Sequence, residues 1–370
     1  MSVRVAVVGL GWAGRELWLP RLSEHPHFEV VAVVDPEPAA RTAWGETPGS
    51  VTARPPVTAY PTVDALTAGE VDLAVVAVPN HLHAAVAAVL LGKGVSVFLE
   101  KPVCLTSEEA GMLAAAERDG GGMLLAGSAA PHRGDVAALA RLLPDLGRVR
   151  HVDLAWVRAR GVPRAGGWFV RRSKAGGGVL LDLGWHLLDT LASLLGPAGF
   201  TQVVGVTSDD FVNAGAWQAA WRRDRHADGD DGDVEDTARG FLVRHDGVSV
   251  SLRTSWASHE ARDVSRIQVV GSAGTADLRC TFGFSPNRHP HSVLTLTREG
   301  TTTSVPVPDE PVGTEYRRQL DGLPAALADP GNRGRAIGEA RTTVRVIEDF
   351  YASARSACAL RHDAPAPRQP

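Results

Sequence analysis

The chain has 370 residues, a formal net charge of -4, an apolar share of 44% and three cysteines. That length suits two domains rather than one small core, and the mild acidity argues against nucleic acid or another polyanion as partner. Cys104, Cys280 and Cys358 are scattered, match no metal-ligand spacing and suit a reducing, cytoplasmic compartment.

The first apolar run, residues 3 to 8, stops at Gly9 without the basic flank of a secretion signal, and reads as a strand. Strands are predicted at 3–8, 28–34, 73–78, 95–99 and 123–126, and helices at 13–23, 81–91 and 107–119. Short apolar strands alternating with helices predict a doubly wound parallel sheet of the Rossmann type over residues 1–128. From 129 to 360 the pattern changes. Strand-like runs at 148–160, 201–207, 238–244, 248–256, 267–270, 275–279 and 293–298 predict an α+β domain with a large, mainly antiparallel open sheet. Helices at 315–327 and 338–354 follow, and the Pro- and Ala-rich tail 361–370 is expected to be disordered. The acidic stretch Asp228 to Asp236 fails the calcium-loop template and reads as a solvated insertion. No metal site is expected from the histidine pairs His81/His83 and His289/His291, and the polar stripe in residues 179–195 argues against a membrane span.

Gly9-Leu10-Gly11-Trp12-Ala13-Gly14 is G-x-G-x-x-G placed after a strand and opening a helix, with Asp35 ending the next strand 21 residues on. That context gives the motif its meaning as a dinucleotide site. Gly9 permits the tight turn, Gly11 a close backbone approach to pyrophosphate, and Gly14 close packing of helix on strand. The helix start supplies free N–H groups for phosphate. Asp35 suits ribose hydroxyls and repels a 2′-phosphate, with Glu37 adding to the repulsion, so NAD is favoured over NADP.

A second signal is Glu100-Lys101-Pro102, where a strand delivers a lysine at its carboxyl end and Pro102 disfavours helical geometry at Lys101. A third is the nearly all-apolar run after Gly176-Gly177-Gly178, in which Asp182, His186 and Asp189 stand at i, i+4 and i+7 and share one helix face. Alone, such a stripe reads equally as a solvent face or as an active site.

These motifs occur in one order with Pro79-Asn80-x-x-His83, Gly92-x-Gly94 and Val270-Gly271-Ser272-Ala273-Gly274-Thr275. Together they resemble the glucose–fructose oxidoreductase / inositol dehydrogenase / MocA family, over nearly the whole chain. The resemblance implies hydride transfer between nicotinamide and a ring carbinol or ketone of a sugar, amino sugar or cyclitol. It implies Lys101, Asp182 and His186 as the catalytic group, with either Lys101 or His186 moving the proton. It implies a cofactor site at Gly9, Gly11, Trp12, Ala13, Gly14, Asp35, Pro79, Asn80, His83, Glu100 and Lys101, and a homodimer or homotetramer paired through the open sheet. The chemistry agrees: an imidazole can take a hydroxyl proton near neutrality, and an ammonium can stabilise a developing oxyanion. Asp189 is expected to be structural. Other classes compatible with these residues are a non-catalytic dinucleotide-binding regulator and a reductase of an imine or non-sugar carbonyl. Two features depart from the family. Gly127 to Arg133 lacks its arginine–aromatic pattern, and 209–236 looks inserted, with Trp217, Trp221 and Arg222-Arg223. Arg158, Arg160 and Arg164, with Trp168, precede the stripe helix and suit either an anionic or polyhydroxy ligand or a plain sheet surface.

Overall fold

The structure, a computed structural model, describes residues 2–45, 57–164, 167–219 and 231–362. Trp221, Arg222-Arg223, Asp228 to Asp230 and tail residues 363–370 lie outside the described residues, as does the Cys358 side chain. The chain divides into two compact units. The first comprises Met1–Ala129, Ser173–Gly176 and Thr314–Arg341; the second comprises Ala130–Arg172, Gly177–Gly313 and Thr342–Pro370.

The first unit is built on β1 (Val3–Val8), β2 (Phe28–Val34), β3 (Thr58–Tyr60), β4 (Leu73–Val76), β5 (Ser96–Glu100) and β6 (Leu124–Gly127). They form one parallel sheet in the order β3-β2-β1-β4-β5-β6. Both faces of such a sheet are covered by helices, so its strands can be apolar at every position; Val5, Ala6, Val7 and all of β4 are fully buried. Between β1 and β4 the strand order reverses, which places a ligand crevice outside the carboxyl ends of these strands. Short β3 was not foreseen. It holds only three residues at the sheet edge, and none of them is fully buried.

The second unit carries β7 (Val149–Val157), β8 (Phe200–Ser208), β9 (Thr237–Arg244), β10 (Ser249–Ser255), β11 (Val264–Gly271), β12 (Thr275–Cys280), β13 (Val293–Arg298) and β14 (Thr301–Val305). Their order is β14-β13-β12-β11-β7-β10-β9-β8, antiparallel throughout except for the parallel pair β7 and β10. Alternation fixes which side faces inward. On β11, Ser265, Ile267 and Val269 are buried, while Arg266 between them forks onto Asp277 of β12 at 2.9 and 2.8 Å. Strand β14 escaped prediction because its Thr-rich sequence lies on the sheet edge almost wholly exposed, so it shows no apolar alternation.

On the inner face, Gly205 of β8 and Gly240 of β9 are cross-strand partners. A Cβ on either would stand 2.4 or 2.3 Å from the Phe350 ring, which fills the space both glycines leave. Phe350 is fully buried, and beside it Ser353 accepts the Gly205 N–H at 3.1 Å. The span Arg172–Leu195 is long and apolar enough on composition alone to cross a membrane. With 61% of that window buried inside the structure, it reads instead as the core helix of a folded domain.

Two outcomes follow from this packing. Phe350→Ala should cost about 3–5 kcal/mol of stability, read from the urea midpoint at unchanged slope. The second concerns Asp135, which lies 4% exposed and holds Arg133 at 2.7 Å and the Ser292 hydroxyl at 2.7 Å. Burial pushes its carboxyl up, but the Arg133 bonds and charge, Ser292 and the Val136 N–H outweigh burial and leave it below the ordinary carboxylate value of 3.8. A depressed carboxylate stabilises the fold above that value and loses its contribution as pH falls toward its lowered pKa. Asp135→Asn should therefore flatten the acid limb of the stability–pH profile below about pH 4, measured by denaturant titration.

Candidate active site

In the first unit, every motif residue lies at the carboxyl ends of neighbouring strands. Gly9 ends β1 with φ +89°, and a Cβ there would sit 2.7 Å from the Ala77 carbonyl oxygen. Gly14 lies in a wide helical turn, Ala13–Trp18, where a Cβ would come within 1.8 Å of the Gly9 carbonyl oxygen. Glycine is therefore required at both, one for the turn and one for helix–strand packing. Gly11 differs: a Cβ there meets no protein atom within 4 Å, so the turn is open on that side. A pyrophosphate fits such a cradle, against bare backbone at a helix start. Trp12 is 45% exposed beside it and Ala13 is half-buried.

Asp35 ends β2 and does more than await a ribose. One carboxylate oxygen accepts the Leu10 N–H at 2.7 Å and the other the Glu37 N–H at 2.9 Å, so Asp35 holds the glycine turn in place. Each oxygen keeps a second lone pair for a hydroxyl. Arg41 reaches the carbonyls of Asp35 and Pro36 at 2.6 and 3.0 Å.

At the end of β4, Pro79 precedes a short helical turn, Asn80–Leu82. Buried Asn80 donates to the Ala175 carbonyl at 2.9 Å. His83 is 1% exposed, with one ring nitrogen 2.7 Å from the Pro102 carbonyl and the other 2.8 Å from that of Val78. Burial holds this imidazole below its ordinary pKa, partly opposed by the two carbonyls. Its place is therefore to stitch the Glu100-Lys101-Pro102 turn to the end of β4. Glu100 accepts from the Trp18 indole at 2.7 Å and from the Lys101 N–H at 3.1 Å. Burial raises its carboxyl, while the Lys101 charge and these bonds pull it part of the way back. Lys101 is half-buried, and its peptide bond to Pro102 is cis.

In the second unit, the stripe lies on a wide turn, Leu180–Gly184, that runs into the helix Trp185–Leu195. Widened turns of this kind recur at functional sites. Between Val179 and Leu191, Asp182, His186 and Asp189 are half-exposed, and every other residue is buried. The wide turn packs on β10 and the helix on β7, the two parallel strands. From these strands come two tryptophans. Trp256, just past β10, donates its indole N–H to Asp182 at 3.0 Å, and Trp156 of β7 places its ring 5.5 Å from that of His186. Sequence reasoning missed both, because neither lies in a motif.

It also misread Glu235. Within the acidic stretch expected to be solvated, Val234, Glu235 and Asp236 are buried. Glu235 caps the stripe helix: its carboxylate accepts the N–H groups of Gly178 at 3.0 Å and Leu180 at 3.2 Å, and its backbone carbonyl accepts that of Val179 at 3.0 Å. The Tyr351 hydroxyl donates to the same carboxylate at 2.7 Å. Burial raises the Glu235 carboxyl against the pull of these donors, and burial and the Glu235 charge raise the Tyr351 phenol well above 10.0. The preceding glycines are the counterpart of this cap. A Cβ at Gly177 would lie 2.1 Å from the Tyr351 hydroxyl, and one at Gly178 would lie 1.9 Å from the Glu235 carbonyl oxygen. Among the described residues, no group of three His, Cys, Asp or Glu side chains is placed to hold a metal.

Known proteins match both units. A family model for an oxidoreductase family with an NAD-binding Rossmann fold covers residues 3–128, and one for the GFO/IDH/MocA C-terminal domain covers 144–277. The chain is 71% identical, over 96% of its length and 97% of the relative's, to a protein of Amycolatopsis mediterranei (strain S699) named "Putative UDP-kanosamine synthase oxidoreductase subunit". It is 28% identical, over 69% of the chain and 70% of the relative, to D-glucoside 3-dehydrogenase of Escherichia coli (strain K12). Among solved structures, GenD2 from gentamicin A biosynthesis in complex with NAD is similar at a TM-score of 0.73, with 25% identity over 96% of this chain and 95% of that one.

The cap gives a direct test. Glu235→Ala leaves buried N–H groups at the start of the stripe helix without their acceptor and should cost about 1–3 kcal/mol for each. Chemical denaturation measures the loss, and Tyr351→Phe should lose less, since it removes one donor and leaves the carboxylate in place.

Proposed function

The chain belongs to the GFO/IDH/MocA oxidoreductase family, and within it we propose that it is an NAD-dependent dehydrogenase or ketoreductase acting on a ring carbon of a sugar. The observation that carries this reading is the stripe helix. Between Val179 and Leu191 its stripe positions Asp182, His186 and Asp189 are half-exposed while every other residue is buried, and the first two are met by tryptophans from adjacent strands. A plain solvent face needs no indole N–H aimed at its carboxylate.

Nicotinamide, when bound, accepts or returns the hydride. Backbone at Gly9, Gly11 and Gly14 would hold its pyrophosphate, and Asp35 its adenosine ribose; the Asp35 carboxylate disfavours a 2′-phosphate and supports NAD. His186 takes the hydroxyl proton of the carbinol or returns it to the ketone. Lys101 donates a hydrogen bond to the same oxygen and stabilises negative charge as it develops. Asp182, fixed by the Trp256 indole, accepts from a neighbouring ring hydroxyl. Asn80, His83 and Glu100 shape the turns that present Lys101. The substrate class is a sugar, amino sugar or cyclitol. The names of the Amycolatopsis and Escherichia relatives favour a sugar, and the former brings a nucleotide-activated amino sugar into that class. Work in the cytoplasm suits Cys104 and Cys280, which are buried and joined in no disulfide among the described residues.

The protein is further proposed to act as a homo-oligomer. Val204, Val206, Phe241 and Val293 of the large sheet are 61, 41, 48 and 51% exposed, an apolar presence that a second copy would cover. Phe241→Asp should then lower the mass measured by light scattering on a sizing column.

For the chemistry, Lys101→Ala and His186→Ala should each lower kcat by about 100-fold or more while NAD still binds, as read by titration calorimetry. Turnover that survives both changes would overturn the reading.

A further inference from the structure

The second unit holds an open cleft of about 350 Å³ that the proposed chemistry does not use. Its walls follow the carboxyl ends of β7, β10 and β12, which run in one direction: Ala159–Arg160, residues 258–261 and Asn287. Trp217 adds a further wall from the segment that looked inserted in the sequence.

The walls are tied to one another. Val162 donates its N–H to the Trp217 carbonyl at 3.1 Å, and Ala219 returns one to Val162 at 2.8 Å. The Ser258 hydroxyl donates to the Arg158 carbonyl at 2.9 Å. Fully buried Asp263 accepts the Ala159 N–H at 2.9 Å and donates its own N–H to the Asn287 carbonyl at 2.9 Å. A ligand would therefore meet a cleft already formed, which lowers the ordering cost of binding.

Its chemistry is mixed in a particular way. Trp217 and His259 stand 5.2 Å apart and nearly perpendicular, and Phe211 backs both rings at 4.9 and 6.1 Å. Arg160 contributes an exposed guanidinium, and Glu260 and Asn287 contribute polar groups of both senses. Aromatic faces take a flat base by stacking, a guanidinium fork matches a diphosphate, and a carboxylate accepts from ribose hydroxyls. A simple hexose needs no such arginine.

The cleft's walls follow in sequence from the two tryptophans that meet the stripe. Trp156, beside His186, lies four positions before Arg160, roughly 13 Å of extended chain. Trp256, the donor to Asp182, lies three positions before His259. A ligand with its ring at His186 thus has its far end directed along two tied strand ends toward Arg160 and Trp217.

We propose that this cleft holds the nucleoside diphosphate of an activated sugar, with the base on Trp217 and His259 and the diphosphate on Arg160. The proposal rests on the sugar-oxidoreductase reading for the placement of the ring, but its test needs no turnover. UDP is titrated calorimetrically into the full chain saturated with NAD. Binding is expected, weakened tenfold or more by Trp217→Ala and by Arg160→Ala, and less by Arg160→Lys, which keeps the charge. Arg160 is exposed, so its replacement does not endanger the fold, and unchanged NAD affinity verifies this for each variant. Absence of UDP binding at millimolar concentration, or binding that none of these variants weakens, overturns the proposal. UDP binding with the expected pattern, but without oxidation of any sugar, supports the cleft and overturns the dehydrogenase. Oxidation of free sugars that UDP neither inhibits nor accompanies by binding does the reverse.

Discussion

The second unit depends on how one helix begins. Residues 179–191 are buried except at the three stripe positions, so the helix cannot satisfy its first N–H groups with water. Glu235 supplies the acceptors, from a strand-end position far away in sequence, and Tyr351 fixes the Glu235 carboxylate from a third segment. Three parts of the chain therefore meet where the helix starts, and only glycine leaves room for them at 177 and 178. The rotation of the helix about its axis is set there, and with it the direction in which Asp182 and His186 point. A carboxylate at a helix N-terminus also matches the helix dipole, so the cap is favoured electrostatically although its burial is costly.

The first unit solves a similar problem with Asp35. The glycine turn after β1 must keep its backbone bare, which removes side chains that would otherwise hold it. Asp35 holds it instead through the Leu10 N–H. The same carboxylate that would greet a ribose thus shapes the loop beneath a pyrophosphate. Replacing it would disturb both, and a cofactor-specificity change at this position carries a structural cost. His83 plays the corresponding part for the Lys101 turn, with its ring set between the Pro102 and Val78 carbonyls.

Much of this was legible in the sequence because it is local. The β-branched runs, the glycine spacing after β1, the Glu100-Lys101-Pro102 strand end and the stripe at 182, 186 and 189 each depend on residues near one another in the chain. Both sheets follow from such patterns, and edge strand β14 escaped because a Thr-rich run exposed on the sheet edge shows no period. What stayed hidden is long-range. Glu235 sits among acids that suggest a solvated loop, and nothing local marks it as the one that turns inward. Trp156 and Trp256 look like ordinary strand residues. Gly205, Gly240 and Phe350 make sense only once β8 and β9 are paired and a helix lies on them.

The two tryptophans meet the stripe helix at two successive positions of its stripe. Asp182 receives the Trp256 indole N–H, which fixes one of its carboxylate oxygens. His186 has the tilted ring of Trp156 beside it, apolar surface that limits where the imidazole can rotate. Trp156 lies on β7 and Trp256 directly follows β10, the parallel pair among the described strands of this sheet, so strand pairing brings the two indoles together. The same pair carries onward into Ala159–Arg160 and Ser258–His259, which line the open cleft of the second unit.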